Sequence, residues 1–459
     1  MNILILGSGI VGANLANKLS EQGKNVFLID DDASELQKLS ERYDIKTIFD
    51  DPLNPNFYNN FKTKIDYFIA VTKSDEKNII TCKFAKEFLK VDKTIARIRN
   101  QNLISNENKN LLINSNQFLD HIISPEWEVA NNIFDKIHLP GAFFSEELVS
   151  SEYLLIGMQS SDLFKHHTFD EIKVFFNEND ICYIGHLFSD TINFDFKEIC
   201  NSDQLYLLTK KKFLNKLIKF FGYKDYVLDI LIVGGGNIGQ NLSKLIESDE
   251  QQINLKILES NKERCDYLAS TLKNTSVFYG DALDQSIYDE IKLSSSDLVI
   301  TVTNNDQINT ILSIIAKKRG TKSVFSVVNN ESFSSFANDL GIDVIINPRE
   351  LTTSRIIEKI SEGSLLSYHS IFKDKFLIYE VNYKNELFEN IKKSSEINHI
   401  CTISNAEIKL AKSEYLPVNN DVLILLVDEK NSHILEKYIN DYSLEEMEQL
   451  WQEAKTVHR

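Results

Sequence analysis

The chain has 459 residues, 42% hydrophobic and 25% charged, with 50 Lys and Arg against 67 Asp and Glu and a net charge of −17. This is the composition of a globular protein with ample core, long enough for three or four domains of roughly 100–200 residues each. So acidic a balance argues against nucleic acid as main partner and against adsorption to anionic lipid, and no apolar run approaches the ~20 residues of a membrane helix.

In chain order, the apolar run 2–6 (NILIL) reads as a strand. A glycine turn and "VGANLANKLSEQGK" follow, with Leu15 and Leu19 at helical spacing. "NVFLID" predicts a second strand ending on Asp30. Further strands are expected at 45–49, 66–72, 94–98 and 120–124, and a helix at 75–90. Alternation of this kind implies a doubly wound parallel sheet. After it come short β-like runs at 153–158, 172–177, 181–188 and 204–209, with "NEND" as a hairpin turn and a helix at 210–222.

The chain then restarts. "LIVGGGNIG" (231–239) restates "LILGSGIVG" (4–12), and "INLKILE", "SVFYGDAL", "DLVITVTNNDQIN", "KSVFSVVNN" and "GIDVIINP" follow in the order of the first half. The offset between the copies drifts by only a few residues, as short loop insertions would cause, so we read a duplication. A second small unit holds the β-like runs "KFLIYEVNY", "HICTIS", "AEIKLA" and "DVLILLVD", closed by "SHILEKYI". The expected architecture is two Rossmann-like α/β domains, at 1–124 and 227–347, each followed by a small α+β domain, at 143–224 and 368–450. The tail "SLEEMEQLWQEAK" has Ser443 and Glu446 at capping-box spacing, with Leu444, Met447, Leu450 and Trp451 on one face. It predicts a helix that packs on the body or binds a partner.

The glycine loops carry the chemistry. Gly7 permits a tight turn, Gly9 lets the backbone approach a pyrophosphate and Gly12 lets the helix pack on its strand. Phosphates then sit at the helix N-terminus. Asp30 ends the second strand, where a carboxylate accepts hydrogen bonds from both ribose hydroxyls. Asp31 and Asp32 beside it repel a 2′-phosphate, so NAD-like or adenosine nucleotides are expected rather than NADP. Gly234, Gly236, Gly239 and Glu259 take the same roles in the second copy. A Rossmann-like fold with an empty crevice is the alternative, more so for the second copy.

Arg97 and Arg99 alternate on "TIARIRN", near the carboxyl end of the fifth strand, where phosphate-binding arginines are well placed. A surface pair answering the acidic background is the other reading. Aligning Lys93 with Lys322 and Asn100 with Asn329 puts Ser326 and Val328 opposite these arginines. Thr72 and Lys73 end the fourth strand, to contact ribose or phosphate or simply to turn the chain. The histidines show no metal spacing; His166 and His167 are adjacent and would face opposite ways on a strand. The five cysteines (Cys82, Cys182, Cys200, Cys265, Cys401) form no CxxC pair and read as buried thiols in a reducing compartment. The start "MNILILGSG" lacks a signal-peptide pattern. No Tyr-xxx-Lys or Cys/His set stands out for hydride transfer.

With these motifs, the chain resembles the TrkA family of Trk-system potassium-uptake regulatory proteins, built from two tandem RCK (KTN) modules. The resemblance rests on "ILGSGIVGANLA", "FIAVTKSDEKNI", "TIARIRN", "HIISPEWEVANNI", "LIVGGGNIGQNL", "GDALD", "VITVTNNDQINT" and "INPRELTT". It implies a nucleotide-binding (NAD(H), ATP or ADP) regulatory subunit rather than an enzyme. Such subunits form a homo-oligomeric ring, dimer or tetramer, on the cytoplasmic face of a membrane potassium-transporting partner, with no direct insertion into the membrane. Carried over, the first site uses Gly7, Ser8, Gly9, Ile10, Val11, Asp30, Asp51, Thr72, Lys73 and Arg97, with Arg99 nearby. The second uses Gly234, Gly235, Gly236, Asn237, Ile238, Glu259 and Asp281. The family's "GDA" stands at Gly280–Ala282 but reads Asp50-Asp51-Pro52 in the first copy, which puts that loop in question. An NAD-dependent oxidoreductase, or the gating module of another cation channel or antiporter, are the competing readings.

Overall fold

The computed structural model describes residues 1–104, 118–139, 141–148, 152–160, 163, 167–188, 191–199, 203–223, 229–249, 253–330, 340–360, 365–372, 375–405, 407–411, 414–435 and 437–439. The expected tail helix, His166 and Cys200 lie outside the described residues.

The first sheet is parallel: β1 (Asn2–Leu6), β2 (Asn25–Asp30), β3 (Lys46–Phe49), β4 (Tyr67–Ala70), β5 (Lys93–Arg97) and β6 (His121–Ile123), ordered β3-β2-β1-β4-β5-β6. Helices α1 (Ile10–Glu21), α2 (Ala33–Arg42), α3 (Pro55–Asn60) and α4 (Asp75–Phe84) make its crossovers, α4 running into a π turn at Ala85–Leu89. The second sheet is antiparallel: β7 (Ala142–Glu147), β8 (Tyr153–Gln159), β9 (Cys182–Phe188), β10 (Thr191–Asn193) and β11 (Gln204–Lys210), ordered β10-β9-β11-β8-β7.

The third sheet repeats the first with β12 (Asp229–Val233), β13 (Asn254–Glu259), β14 (Thr275–Tyr279), β15 (Leu298–Thr301), β16 (Ser323–Val327) and β17 (Val344–Ile346), in the order β14-β13-β12-β15-β16-β17. The fourth, antiparallel again, comprises β18 (Leu365–Ile371), β19 (Phe376–Asn382), β20 (Ile397–Ser404), β21 (Glu407–Leu410) and β22 (Val422–Asp428). The two Rossmann-like domains and the small antiparallel ones are as expected.

Two compact units result. One takes Met1–His138 with Tyr226–Ile360, the other Leu139–Asp225 with Ser361–Arg459. Within the first unit the parallel domains exchange their last helices. In the helix Pro125–Ile137, Val129, Ala130, Ile133 and Ile137 recur at three- and four-residue steps and so form one stripe. That stripe joins the core of the second copy, against Ile230, Ile232, Leu242 and Ile246. Its counterpart, Pro348–Ile360, packs on α1. At the end of the exchanged helix, His138 Nε2 lies 2.8 Å from Asp249 Oδ2.

In the second unit, Tyr153, Leu155, Cys182 and Ile184 share a core with Ile378, Cys401, Ile424 and Leu426. Several expectations fail here. Residues 172–177 are not a strand but belong to the helix Phe169–Glu178, and "NEND" closes that helix instead of turning a hairpin. The reason is local: Thr168 and Glu171 form a capping box, and only Ile172 and Phe176, four apart, are buried. β7, β10, β18 and the helix Asn385–Lys393 carried no recognised signal. His167 stands outside any strand, its ring stacked on Phe220 at 3.8 Å.

Candidate nucleotide sites

Each parallel sheet ends its first strand in a glycine turn. Gly7 has φ +111° and Gly234 the same, a conformation that side-chain-bearing residues rarely adopt. A methyl group on Gly12 would lie 1.8 Å from the Gly7 oxygen, and one on Gly239 2.1 Å from that of Gly234, so helix and turn pack backbone to backbone. Gly9 and Gly236 are the opposite case, with nothing within 4 Å of where a Cβ would stand. Both are helix N-caps with no side-chain cap bond. The first helical bonds run from Ala13 N to Gly9 O (2.9 Å) and from Gln240 N to Gly236 O (3.0 Å). The N–H groups of Ile10, Val11 and Gly12, and of Asn237, Ile238 and Gly239, therefore precede the ladder and make an anion-favouring helix end beside open space.

The acids stand beside these turns. Asp30 accepts from Ser8 N with one oxygen (2.5 Å) and from Asp32 N with the other (3.1 Å). Glu259 repeats this on Gly235 N (2.7 Å) and Asn261 N (2.8 Å). Each carboxylate thus ties the glycine turn to the loop after its own strand and keeps lone pairs for a further donor. Asp32 is spent as N-cap of α2, and Asp31 is paired with Lys77 at 2.8 Å, which holds its carboxyl below the ordinary aspartate range. The doubtful loop of the first copy keeps the shape of the second. Asp51 accepts from Leu53 N and Asp281 from Leu283 N, both at 2.9 Å, and Tyr58 and Tyr288 donate to Pro52 O and Ala282 O.

On the far side of the crevice a polar clamp joins β4, α4 and β5. Asn78, fully buried, accepts from Thr72 N (3.0 Å) and Thr72 Oγ1 (2.6 Å), and donates to Thr72 O (3.2 Å) and Arg97 O (2.8 Å). Asp75 accepts from Arg99 N (3.0 Å) and Asn100 N (2.7 Å). The Thr72 hydroxyl is therefore committed inside the protein, whereas Lys73 is exposed. The Arg99 side chain pairs with Glu126 through Nε (2.7 Å) and Nη2 (2.6 Å). Arg97 Nε is buried and makes no hydrogen bond among the described residues. Burial, then the neighbouring Arg99 charge, pushes the Arg97 pKa down from its ordinary value.

The second copy repeats the clamp and corrects the sequence alignment. Asn309 binds Thr303 and donates to Val327 O (2.9 Å), and Asp306 accepts from Asn329 N and Asn330 N, both at 3.0 Å. Arg97 therefore corresponds to Val327 and Arg99 to Asn329, one residue away from the expected Ser326 and Val328. Ser326 instead matches Ala96: it joins Thr301 and Ser313 in a buried hydroxyl cluster where the first copy has Ala96, Ala70 and Cys82. Matching Lys93 to Lys322 misled the register, because the connection before the strand is one residue shorter in the second copy. No arginine stands on either position of the second copy under either alignment.

Thr72 was singled out in the sequence but Asp75 and Asn78 were missed, though Thr-x-x-Asp-x-x-Asn recurs in both copies (72–78 and 303–309) and comparing the repeats reveals it. Glu126 and Arg264 were missed as well. Arg264 donates from Nε to Gly235 O (2.7 Å) and from Nη2 to Gln240 Oε1 (2.9 Å), pinning the second glycine turn where the first copy has Glu35. Among the described residues no cluster of His, Cys, Asp or Glu fits a metal ion, and no helix is long and apolar enough to cross a membrane.

Comparison with known proteins places these features. The Trk system potassium uptake protein TrkA of Azorhizobium caulinodans is 27% identical over 387 residues, 81% of this chain and 82% of that protein. Its namesake from Vibrio alginolyticus is 29% identical over 386 residues, 81% of each. Among solved structures, the GsuK RCK domain superposes with a TM-score of 0.60 at 14% identity, over 96% of this chain and 95% of that one. The GsuK channel bound to NAD gives 0.60 at 14% identity, over 96% and 79%. At such identity the likeness is one of fold. The family model of the TrkA-N domain matches twice, over residues 3–125 and 230–348, the two parallel sheets with their glycine turns, so the chain belongs to the TrkA-N domain family and carries that domain in tandem.

Proposed function

We propose that this chain is a nucleotide-binding regulatory subunit that gates a membrane potassium-uptake transporter. The observation that carries this is the pair of glycine turns, each with an open Cβ position, unladdered helix N–H groups and a carboxylate beside them, in a chain whose relatives are named as Trk potassium uptake proteins. These groups fit a dinucleotide or ATP: N–H groups for phosphate, Asp30 or Glu259 for a ribose diol. When bound, the nucleotide supplies no reaction here; it supplies binding energy that differs between two arrangements of the chain, the requirement for any ligand-driven switch.

In this reading the first site is formed by Gly7, Ser8, Gly9, Ile10, Val11, Gly12, Asp30, Asp51, Lys73, Arg97 and Arg99, with Thr72 acting from behind. The second is formed by Gly234, Gly235, Gly236, Asn237, Ile238, Gly239, Glu259 and Asp281. The partner is a Trk-type membrane subunit that anchors a ring of these chains to the inner face of the cell membrane. Potassium uptake in a strain lacking this chain, restored by wild type but not by a Gly9→Ala, Gly236→Ala variant, is the test. Full restoration by that variant, or a co-purifying membrane protein that does not carry potassium, overturns the proposal.

A further inference from the structure

We propose that Asp75 and Asn78 are positioning residues that set how the first site discriminates nucleotides by phosphate charge. This rests on the reading of that site given above and deepens it. Between them they fix the backbone on both sides of Ile98: Asn78 holds Arg97 O at 2.8 Å, and Asp75 holds Arg99 N at 3.0 Å and Asn100 N at 2.7 Å. The Asn78 amide uses both donors and its acceptor, with its side chain fully buried, so it has one arrangement only. Asp75 starts α4, so the helix that follows β4 aims the end of β5.

A guanidinium discriminates phosphate charge only when its base is held still, because a loosely held cation follows ADP as readily as ATP. Arg97 meets that condition through its carbonyl, and its buried Nε makes no hydrogen bond among the described residues. The second copy separates structure from function. Its Asp306 and Asn309 hold the equivalent backbone groups of Val327, Asn329 and Asn330, with one added bond from the Asn329 amide to Asp306 at 3.0 Å, and Val327 and Asn329 carry no charge to aim. Whatever the clamp contributes to folding, both copies need; whatever it contributes to phosphate recognition, only the first can express.

The full-length chain is therefore titrated with ATP, ADP and NADH, as wild type and as Asn78→Ala, Asn309→Ala, Asp75→Asn, Asp306→Asn and Arg97→Ala, with thermal unfolding recorded for each. The two asparagine variants should lose comparable unfolding temperature. The ATP-to-ADP affinity ratio should fall about tenfold or more in Asn78→Ala and Asp75→Asn, the worth of roughly one hydrogen bond lost at a charged group. It should stay within about two-fold of wild type in Asn309→Ala and Asp306→Asn. Should an alanine variant fail to fold, the Asp→Asn pair carries the comparison. A ratio unchanged in Asp75→Asn, or moved equally by Asp306→Asn, overturns the inference while a collapsed ratio in Arg97→Ala leaves the reading of the first site intact. If Arg97→Ala keeps the wild-type ratio, that reading fails and the inference goes with it.

Discussion

The two copies share the backbone of the glycine turn and its tie to a strand-end carboxylate, and they differ most in the charge carried at the other wall of the crevice. Beside β1 and β12 the glycines and helix ends recur, with Asp30 or Glu259 as the carboxylate; beside β5 and β16 the same Asp and Asn pair presents Arg97 and Arg99 in one copy and Val327 and Asn329 in the other, where the Asn329 amide also binds Asp306. Duplication has kept the backbone device that shapes a crevice and let the charge mounted on it diverge. In the proposed reading, what a site can bind and what it can distinguish are therefore set by different residues.

The shared half is broken most severely at the helix start. A methyl group at Gly12 or Gly239 would overlap a carbonyl oxygen, so Gly12→Ala and Gly239→Ala should each cost about 1–3 kcal/mol and abolish binding in their own copy. Gly9→Ala and Gly236→Ala meet nothing within 4 Å, so they should unfold within ~0.5 kcal/mol of wild type and still lose nucleotide. Unfolding curves with and without NADH separate the two kinds. Undiminished ligand stabilisation in Gly9→Ala would show that the phosphates do not lie over that residue.

The divergent half is tested by charge. Two desolvated charge-assisted hydrogen bonds are worth about 1.5–3 kcal/mol each, so Arg97→Ala/Arg99→Ala should weaken ATP by roughly a hundredfold or more if both are lost. Glu259→Ala should leave ATP binding at the first copy untouched. Because Arg99 already spends itself on Glu126 at 2.6 Å, most of the loss should come from Arg97 alone. The opposite pattern, with ATP lost in the Glu259 variant and kept in the arginine variant, means the roles of the copies are reversed.

How far this was legible in the sequence depends on the kind of signal. The glycine spacing, the acids and the order of strands carry a fold-specific pattern, and the parallel sheets stand where it put them. Asn78 and Asp75 were silent because they act through backbone atoms, which no single-residue motif announces; only the repeat exposes them. The register of β5 against β16 failed because Lys93, the first residue of β5, was matched to Lys322, which precedes β16, whereas the bonds to Arg97 O and Val327 O fix the pairing. The run 172–177 misled because its β-branched and aromatic residues favour a strand, and the Thr168–Glu171 capping box with Ile172 and Phe176 buried four apart outweighs that preference.

A smaller effect concerns Asp30. It pins Ser8 N, and in the proposed site it would also take the ribose, so Asp30→Ala is expected to remove a structural bond and a ligand bond together. Wild type should prefer NADH to NADPH, and the variant should lose affinity for NADH by about five- to tenfold while closing the gap between the two cofactors. Equal wild-type affinity for both, measured by titration, would leave Asp30 as a purely structural tie to the glycine turn.

The smallest effect lies in a contact that only the first copy makes. Lys77, on the first turn of α4, reaches Asp31 after β2 at 2.8 Å, joining elements on either side of β1; the matching residues are Ile308 and Ser260. Asp31 is 64% exposed, so solvent screens the pair and a double-mutant cycle of Asp31→Asn with Lys77→Met should give about 0.2–1 kcal/mol at low salt. The sign of its pH dependence follows from the shift. Lys77 lowers the Asp31 pKa in the folded chain below the ordinary 3.8, so the stabilisation is present above that value and is lost as pH falls through the folded pKa. At neutral pH the coupling should shrink with added salt and be independent of pH. If saturating NADH abolishes the coupling while leaving the Asp75 clamp's effect on the ATP-to-ADP ratio unchanged, the ligand passes between β2 and β4 and displaces this bond. A coupling that persists unchanged with ligand bound would put the nucleotide beneath it, with the ion pair as part of the wall.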